Sequence, residues 1–408
     1  MEVQYYTLPN GIRLVHRFNA KEIAHCGLVI NAGSRDEDEN QNGIAHFIEH
    51  VIFKGTKKRK AYHVLSRLEN VGGDLNAFTT KEETCIYASF LRKHYDRTLE
   101  LFSDILFNSV FPEKEINREK DIVLDEINSY KDSPAEQIFD DFEEILFDGH
   151  AFGRNILGTP KTVKNFKKTN ILKFMAQNYH TDQMVISSVG NIKFERLVKL
   201  VNKYFKDIKP NLRSNSRNGI TDYNPLKKVV ARQNHLAHCI IGNMAYAVED
   251  KNRLGLVMLN NLLGGPGLNS KLNLALRERH GYAYDIESNY QSYSDTGVFS
   301  IYFGTDPENL KKASTIVHKE LKNLRDKKLG VLQLSRAKTQ IIGQLAIALE
   351  SNVSEMLSNG RRLLQVSKIE SVQEIINAIN ELTAEQLIEI SNEIFDPRLL
   401  STLIYNGK

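Results

Sequence analysis

The 408-residue sequence predicts an α+β fold built twice, as two homologous α/β sandwich domains. Each would be an antiparallel-rich sheet with helices on one face. Three observations lead there. The chain is long for one hydrophobic core and suits two domains of about 200 residues. The run His25-Cys26-Gly27-Leu28-Val29-Ile30 is echoed by His238-Cys239-Ile240-Ile241-Gly242-Asn243. Between them, residues 209–219 (KPNLRSNSRNG) are rich in the Pro, Asn, Ser and Gly that favour an exposed linker. The boundary is placed near residue 215, giving domains 1–215 and 216–408.

Within the first half, Leu8-Pro9-Asn10-Gly11 reads as a turn feeding a strand through Ile12 to Val15. Cys26 to Gly33 is a buried-strand run ending at a glycine, and a helix closing near Gly55 follows. Leu75 to Thr79 and Thr84 to Phe90 form a strand pair with a polar turn between them. Helical periodicity dominates from Tyr95 to about Phe147. The second half repeats this order: strand run, acidic loop, then a helix ending at Gly264-Gly265.

Composition excludes several classes. Apolar content of 41% and charged content of 25% are ordinary for a globular protein. A net charge of +4 is too small for this length to indicate nucleic acid. Lys57-Lys58-Arg59-Lys60, the densest basic run, reads as a solvated loop, with a substrate or acidic-lipid contact as the lesser alternative. No run approaches the ~18 apolar residues of a membrane span. The start lacks the basic-then-apolar profile of a signal peptide, so the expected location is cytoplasmic. Cys26, Cys85 and Cys239, odd in number and widely spaced, fit buried thiols in a reducing compartment.

The chemistry concentrates in His46-Phe47-Ile48-Glu49-His50. Histidines at i and i+4 project from one helical face, so their imidazoles can converge on one ion. Glu49 stands where it can reach a water at that ion, the H-x-x-E-H arrangement of inverted zinc-peptidase motifs. Such a site needs a third protein ligand from elsewhere. Glu126 is the candidate, and Glu119, two helical turns earlier, shares its face, so that one carboxylate could bind the ion while the other orients a ligand or holds a proton. Alone, a seven-residue glutamate spacing is an ordinary solvated helix face.

Taken together, residues 46–56 (HFIEHVIFKGT), 75–84 (LNAFTTKEET) and the Glu119/Glu126 pair resemble the M16 metallopeptidases. The resemblance spans nearly the whole chain. It implies one Zn²⁺ per chain held by His46, His50 and Glu126, with Glu49 as general base and Glu119 in support. It further implies that Asn76, Ala77, Phe78 and Thr79 form an edge strand holding an extended peptide by main-chain bonds. Since larger relatives carry four such domains, a two-domain chain is expected to need a partner, either a homodimer or a heterodimer with a zinc-less sister.

Sliding the two helices together puts Leu256, Leu259 and Asn260 where His46, Glu49 and His50 stand, so the second copy has kept the pattern and lost the ligands. Its glycine-rich stretch from Gly264 to Gly267 precedes Leu276-Arg277-Glu278-Arg279-His280-Gly281-Tyr282-Ala283-Tyr284, which is similar to the family's L-R-E-x-x-G-L-A-Y. It departs from the pattern at Pro266 and Tyr282. Arg277 can clamp a carbonyl or carboxylate and Tyr284 can stabilise an oxyanion, whereas Gly281 reads as a helix cap. The expected function is zinc-dependent endopeptidase. A non-catalytic assembly subunit and a dedicated leader or presequence peptidase are the alternatives.

Overall fold

Gly11, at φ +95°, closes the expected turn by donating its N–H to Leu8 O at 2.9 Å. That geometry is easy only for glycine. It joins β1 (Gln4–Thr7) to β2 (Arg13–Phe18) in the computed structural model, which describes residues 3–214, 216–217, 219–220, 223–366 and 368–407. Next come β3 (Ile23–Ile30), α1 (Ile44–Val51), α2 (Ala61–Glu69), β4 (Asp74–Thr79) and β5 (Thr84–Leu91). Helices α3 (Tyr95–Asn108), α4 (Glu113–Lys131) and α5 (Pro134–Leu146) occupy the expected helical stretch. Then follow α6 (Pro160–Asn165), α7 (Lys168–Asn178), β6 (Met184–Gly190) and α8 (Phe194–Phe205). The second half runs β7 (Lys227–Ala231), β8 (Ala237–Ala245), α9 (Arg253–Gly264), β9 (Ala283–Ser292) and β10 (Gly297–Thr305). It ends with α10 (Leu310–Asp326), α11 (Val331–Ala348), α12 (Asn352–Val366), α13 (Val372–Glu381), α14 (Ala384–Ile394) and β11 (Ser401–Asn406). Ser371 and Thr383 start α13 and α14 with capping boxes.

The chain forms two compact units, and they interleave rather than follow the halves of the sequence. One comprises Met1–Ser129, Arg154–Asn218 and Ala348–Ile369; the other comprises Tyr130–Gly153, Gly219–Ile347 and Glu370–Lys408. The boundary expected at residue 215 falls outside the described residues. Each unit thus takes one helix from the other half, α12 in the first and α5 in the second.

In the first unit a six-stranded sheet runs β1-β2-β6-β3-β5-β4, antiparallel except at β2–β6. Strand alternation sends Val15 and Val185 to one face, where Leu363 of α12 covers them. Gly27 has no side chain and leaves room for Met356, and a Cβ on Gly360 would sit 2.7 Å from Val29. The opposite face meets α3 and α8. There Tyr95, Ser188 and His16 form a buried hydrogen-bonded chain: 2.9 Å from tyrosine to serine, then 3.2 Å to His16 Nδ1. His16 Nε2 lies 3.2 Å from Ile192 O.

In the second unit the order is β7-β11-β8-β10-β9. Cys239, Ile241, Phe299, Ile301 and Phe303 bury one face under α9, α10 and α14. Ile240, Tyr302, Leu403 and Tyr405 bury the other under Ile138 and Phe142 of α5. The exchanged helix therefore adds a second covered face to the one-sided sandwich that the sequence suggests, which is why β10 is buried throughout and β8 along most of its length.

Burial lowers the His16 pKa from 6.5 to about 4. The folded state thus holds the ring neutral, and this stabilisation is complete above pH 6.5 and lost as pH falls toward 4. Thermal unfolding from pH 7 to pH 4 should show stability falling by up to about 3 kcal/mol from this group. The fall should be shallower in His16→Gln; identical pH profiles for the two proteins would contradict the assignment.

Candidate metal centre

Helix α1 is short, and its start is fixed from outside. Gly43, at φ +92°, opens it, and a Cβ there would lie 2.7 Å from the Gly158 backbone. The Glu37 carboxylate accepts from Gly43 N–H at 2.8 Å, Ala45 N–H at 2.9 Å and Asn42 Nδ2 at 3.0 Å. These bonds satisfy helix donors that have no partner inside the helix, and they favour negative charge at that end. Burial raises the Glu37 pKa to about 8 against the pull of those donors. Ile44, Ala45, Phe47, Ile48 and Val51 are buried, with Phe47 against Phe166 at 5.2 Å between ring centres. The remaining side of the helix carries His46, Glu49 and His50.

Helix α4 brings the carboxylates. His46 Nε2 is 3.7 Å and His50 Nε2 3.5 Å from Glu126 Oε2. The ligand atoms of His46, His50 and Glu126 all lie within 4.8 Å of one another, the only such group of His, Cys, Asp and Glu among the described residues. Two ligands on one ion at ~2.0–2.1 Å in tetrahedral array stand roughly 3.4 Å apart. The donor set and spacing therefore fit a divalent metal. Glu119 Oε2 lies 3.3 Å from His50 Nδ1, leaving Nε2 for an ion. Lys54 Nζ sits 2.8 Å from the other Glu119 oxygen.

The electrostatics separate the two histidines. Burial, then the neighbouring His50, pushes the His46 pKa down to about 4, keeping its imidazole neutral. Burial also works against a charged His50, but Glu126, Glu119 and Glu49 outweigh it and the net shift is upward. The hydrogen bond from His50, aided by His46, holds the Glu126 carboxyl below its ordinary range against the effect of burial. Burial raises the Glu49 pKa, with Glu126 adding to it, while Thr79 and His50 favour the charged form.

Five residues singled out by the sequence, His46, Glu49, His50, Glu119 and Glu126, thus stand together. Asn76, Ala77, Phe78 and Thr79 lie on β4, the edge strand of its sheet, whose outer edge pairs with no other strand among the described residues. Thr79 interacts with Glu49, a role its place in an edge strand did not suggest. Lys54 and Glu37 were missed. Lys54 follows His50 by four residues, a helical spacing that could have flagged it; Glu37 has no such signal.

Arg277 and Tyr284 belong to the second unit. Arg277 stands on a π-helical turn, Asn273–Glu278, a local geometry frequent at functional sites. It lines a cavity of about 580 Å³ with Asn260, Asn261 and Glu287. Tyr284 on β9 is 83% exposed rather than packed. Gly281, at φ +62°, donates to Arg277 O and ends the turn as a cap. His25 and His238 make structural bonds of 2.8 Å to Ser89 and Tyr302. Leu256 and Leu259 are buried.

Comparison with known proteins gives matches along most of the chain. Residues 14–160 match the family model described as insulinase (peptidase family M16), and residues 165–341 match the peptidase M16 inactive domain. A zinc protease of Bacillus subtilis (strain 168), YmxG, is 33% identical over 395 residues, covering 96% of each chain. A zinc protease of Rickettsia bellii is 30% identical over 382 residues, covering 92% of this chain and 91% of that one. Among solved structures, a protease from Helicobacter pylori superposes with TM-score 0.91 at 23% identity, covering 100% and 99% of the two chains. An M16 inactive-domain protein from Pseudomonas fluorescens gives 0.92 at 17% identity, also covering 100% and 99%. The last two show the shared fold; the family models and the bacterial relatives establish that this chain belongs to peptidase family M16.

Proposed function

We propose that this protein is a zinc-dependent endopeptidase acting on extended peptides. The observation that carries the reading is the convergence of His46, His50 and Glu126 on one point, with Glu49 on the same turn of α1 but outside the ligand set. The family and the names of the bacterial zinc proteases support it. Zinc, when bound, would supply a Lewis acid that polarises a peptide carbonyl and acidifies water. His46 and His50 would hold it as neutral imidazoles, Glu126 as a carboxylate, and Glu119 would orient His50.

Glu49 does the proton work. Its carboxylate takes a proton from the attacking water and passes it to the nitrogen of the leaving amine. A proton affinity raised by burial suits a group that must accept and then release. The free edge of β4 would receive the substrate as an added strand, reading main chain more than side chains. Three free, buried cysteines fit action in the reducing cytoplasm, and no helix among the described residues is long and apolar enough to cross a membrane.

Glu49→Gln should keep bound metal and thermal stability while cleavage of a quenched fluorescent peptide disappears. Glu119→Gln should lower the rate by about 10–100-fold, as loss of an orienting partner does. Cleavage by Glu49→Gln at near wild-type rate would remove the base assignment.

We further infer a homodimer enclosing the substrate, in which Arg277 and Tyr284 of one chain serve the metal centre of the other. Arginine would clamp a carbonyl or carboxylate, and the tyrosine hydroxyl would stabilise the tetrahedral oxyanion. Mixing Glu49→Gln chains with Tyr284→Phe chains, each nearly inactive alone, should restore activity through mixed dimers. No recovery despite demonstrated subunit exchange would mean that Tyr284 does not act in trans.

A further inference from the structure

The basic run after the α1 helix leaves Lys57, Lys58 and Lys60 exposed, as its composition suggests, but its backbone turn is pinned. Thr56 Oγ1 accepts from Lys58 and Arg59 N–H at 3.1 and 3.0 Å and donates to Asp104 at 2.8 Å. Lys57 N–H donates to Asn108 O at 2.9 Å, so the turn is fixed at both ends. It borders a cavity of about 410 Å³ lined by Lys58, Arg59, His63, Arg67, Asn70 and Arg97, among others. His63, Arg67 and Asn70 share one face of α2 at successive turns, and Arg97 comes from the first turn of α3.

The charges around this cavity do not cancel. Arg59 donates to both oxygens of Glu100 at 2.8 and 2.9 Å and to Asp104 at 2.5 Å. Arg67 lies 3.2 Å from Glu100. Two carboxylates thus hold two guanidinium groups in place. Arg97 donates to the carbonyl of Arg67 at 2.9 Å, and neither it nor Lys58 has a carboxylate partner among the described residues. Four cations against two carboxylates leave two positive charges in the lining of this cavity.

We propose that this cavity binds a phosphate-type oxyanion carrying two negative charges, with Lys58 and Arg97 as its main charge partners and Arg67 and Asn70 as further donors. Arg67, braced by Glu100, and Arg97, held by the Arg67 carbonyl, are already oriented, so less side-chain freedom is lost when an anion arrives. The site is independent of the peptidase reading, although its turn starts two residues after Lys54, the partner of Glu119. The same chemistry serves free phosphate or the phosphate headgroup of a lipid.

Titration calorimetry of inorganic phosphate into the zinc-loaded chain at low salt tests it. One saturable site is expected, weakened about tenfold or more in Lys58→Gln/Arg97→Gln, as loss of charge-assisted contacts implies. Lys93→Gln/Lys193→Gln, altering a different cavity, should bind as wild type. Flotation with phosphatidic acid vesicles separates the sources: Lys58- and Arg97-dependent flotation assigns the anion to a lipid headgroup, and its absence with phosphate binding intact assigns it to free phosphate. Lys58→Glu, a change at an exposed side chain, repeats the test should the double variant misfold. Failure of both probes to bind, or binding that the variants retain, as phosphate held at the metal centre would be, overturns the proposal.

Discussion

The structure depends on two helices meeting at one oxygen. Glu126 of α4 stands within 3.7 Å of both imidazoles of α1, and without it the i, i+4 histidines would be a pair of partly buried rings with nothing to share. The ring centres are 4.6 Å apart with planes inclined at 67°, close enough that His50 disfavours charge on His46. One responds by staying neutral and the other leans on three carboxylates. Such a cluster has a poor balance of charge by itself and a good one around a divalent cation. The rest of the first unit serves to hold α1 and α4 in this relation, through Glu37 at the start of α1 and the Glu119–Lys54 pair beyond its end.

The duplication explains what the second unit retains. Its helix α9 and edge strand β9 repeat the pairing of α1 with β4, but Leu256 and Leu259 have turned the ligand positions into core. Asn260 alone still lines a cavity. The leucines add to the apolar cluster, where a lone buried histidine would need partners. The exchanged helices α5 and α12 give both sheets a second covered face, so the halves cannot fold as two separate beads on a linker.

What could be read from the sequence was local. Helical geometry alone makes His46 and His50 converge, and alternation with glycine and proline punctuation gives the strands and turns. Glu126 was legible only because its two-turn spacing from Glu119 matched a family pattern; nothing local tells that face from a solvated one. Glu37 was not legible, since its partners come from a loop–helix junction six and eight residues later and its burial depends on tertiary packing. The exchange of α5 was hidden for a similar reason. An apolar stripe such as Ile138, Phe142 and Ile145 says that a face is buried, not which sheet buries it. Likewise the bracing of Arg59 within the exposed basic run was hidden, because Glu100 and Asp104 lie some forty residues away in the chain.

The central claim is that two imidazoles from α1 and one carboxylate from α4 hold a single zinc. X-ray absorption at the zinc edge of the purified protein tests it most directly. The account predicts a low-coordinate site of nitrogen and oxygen neighbours at about 2.0–2.1 Å, with scattering from two imidazoles and none from sulfur. In His50→Ala one imidazole contribution should vanish together with most of the metal. Sulfur ligation, or an unchanged zinc spectrum at full occupancy in that variant, would contradict the account.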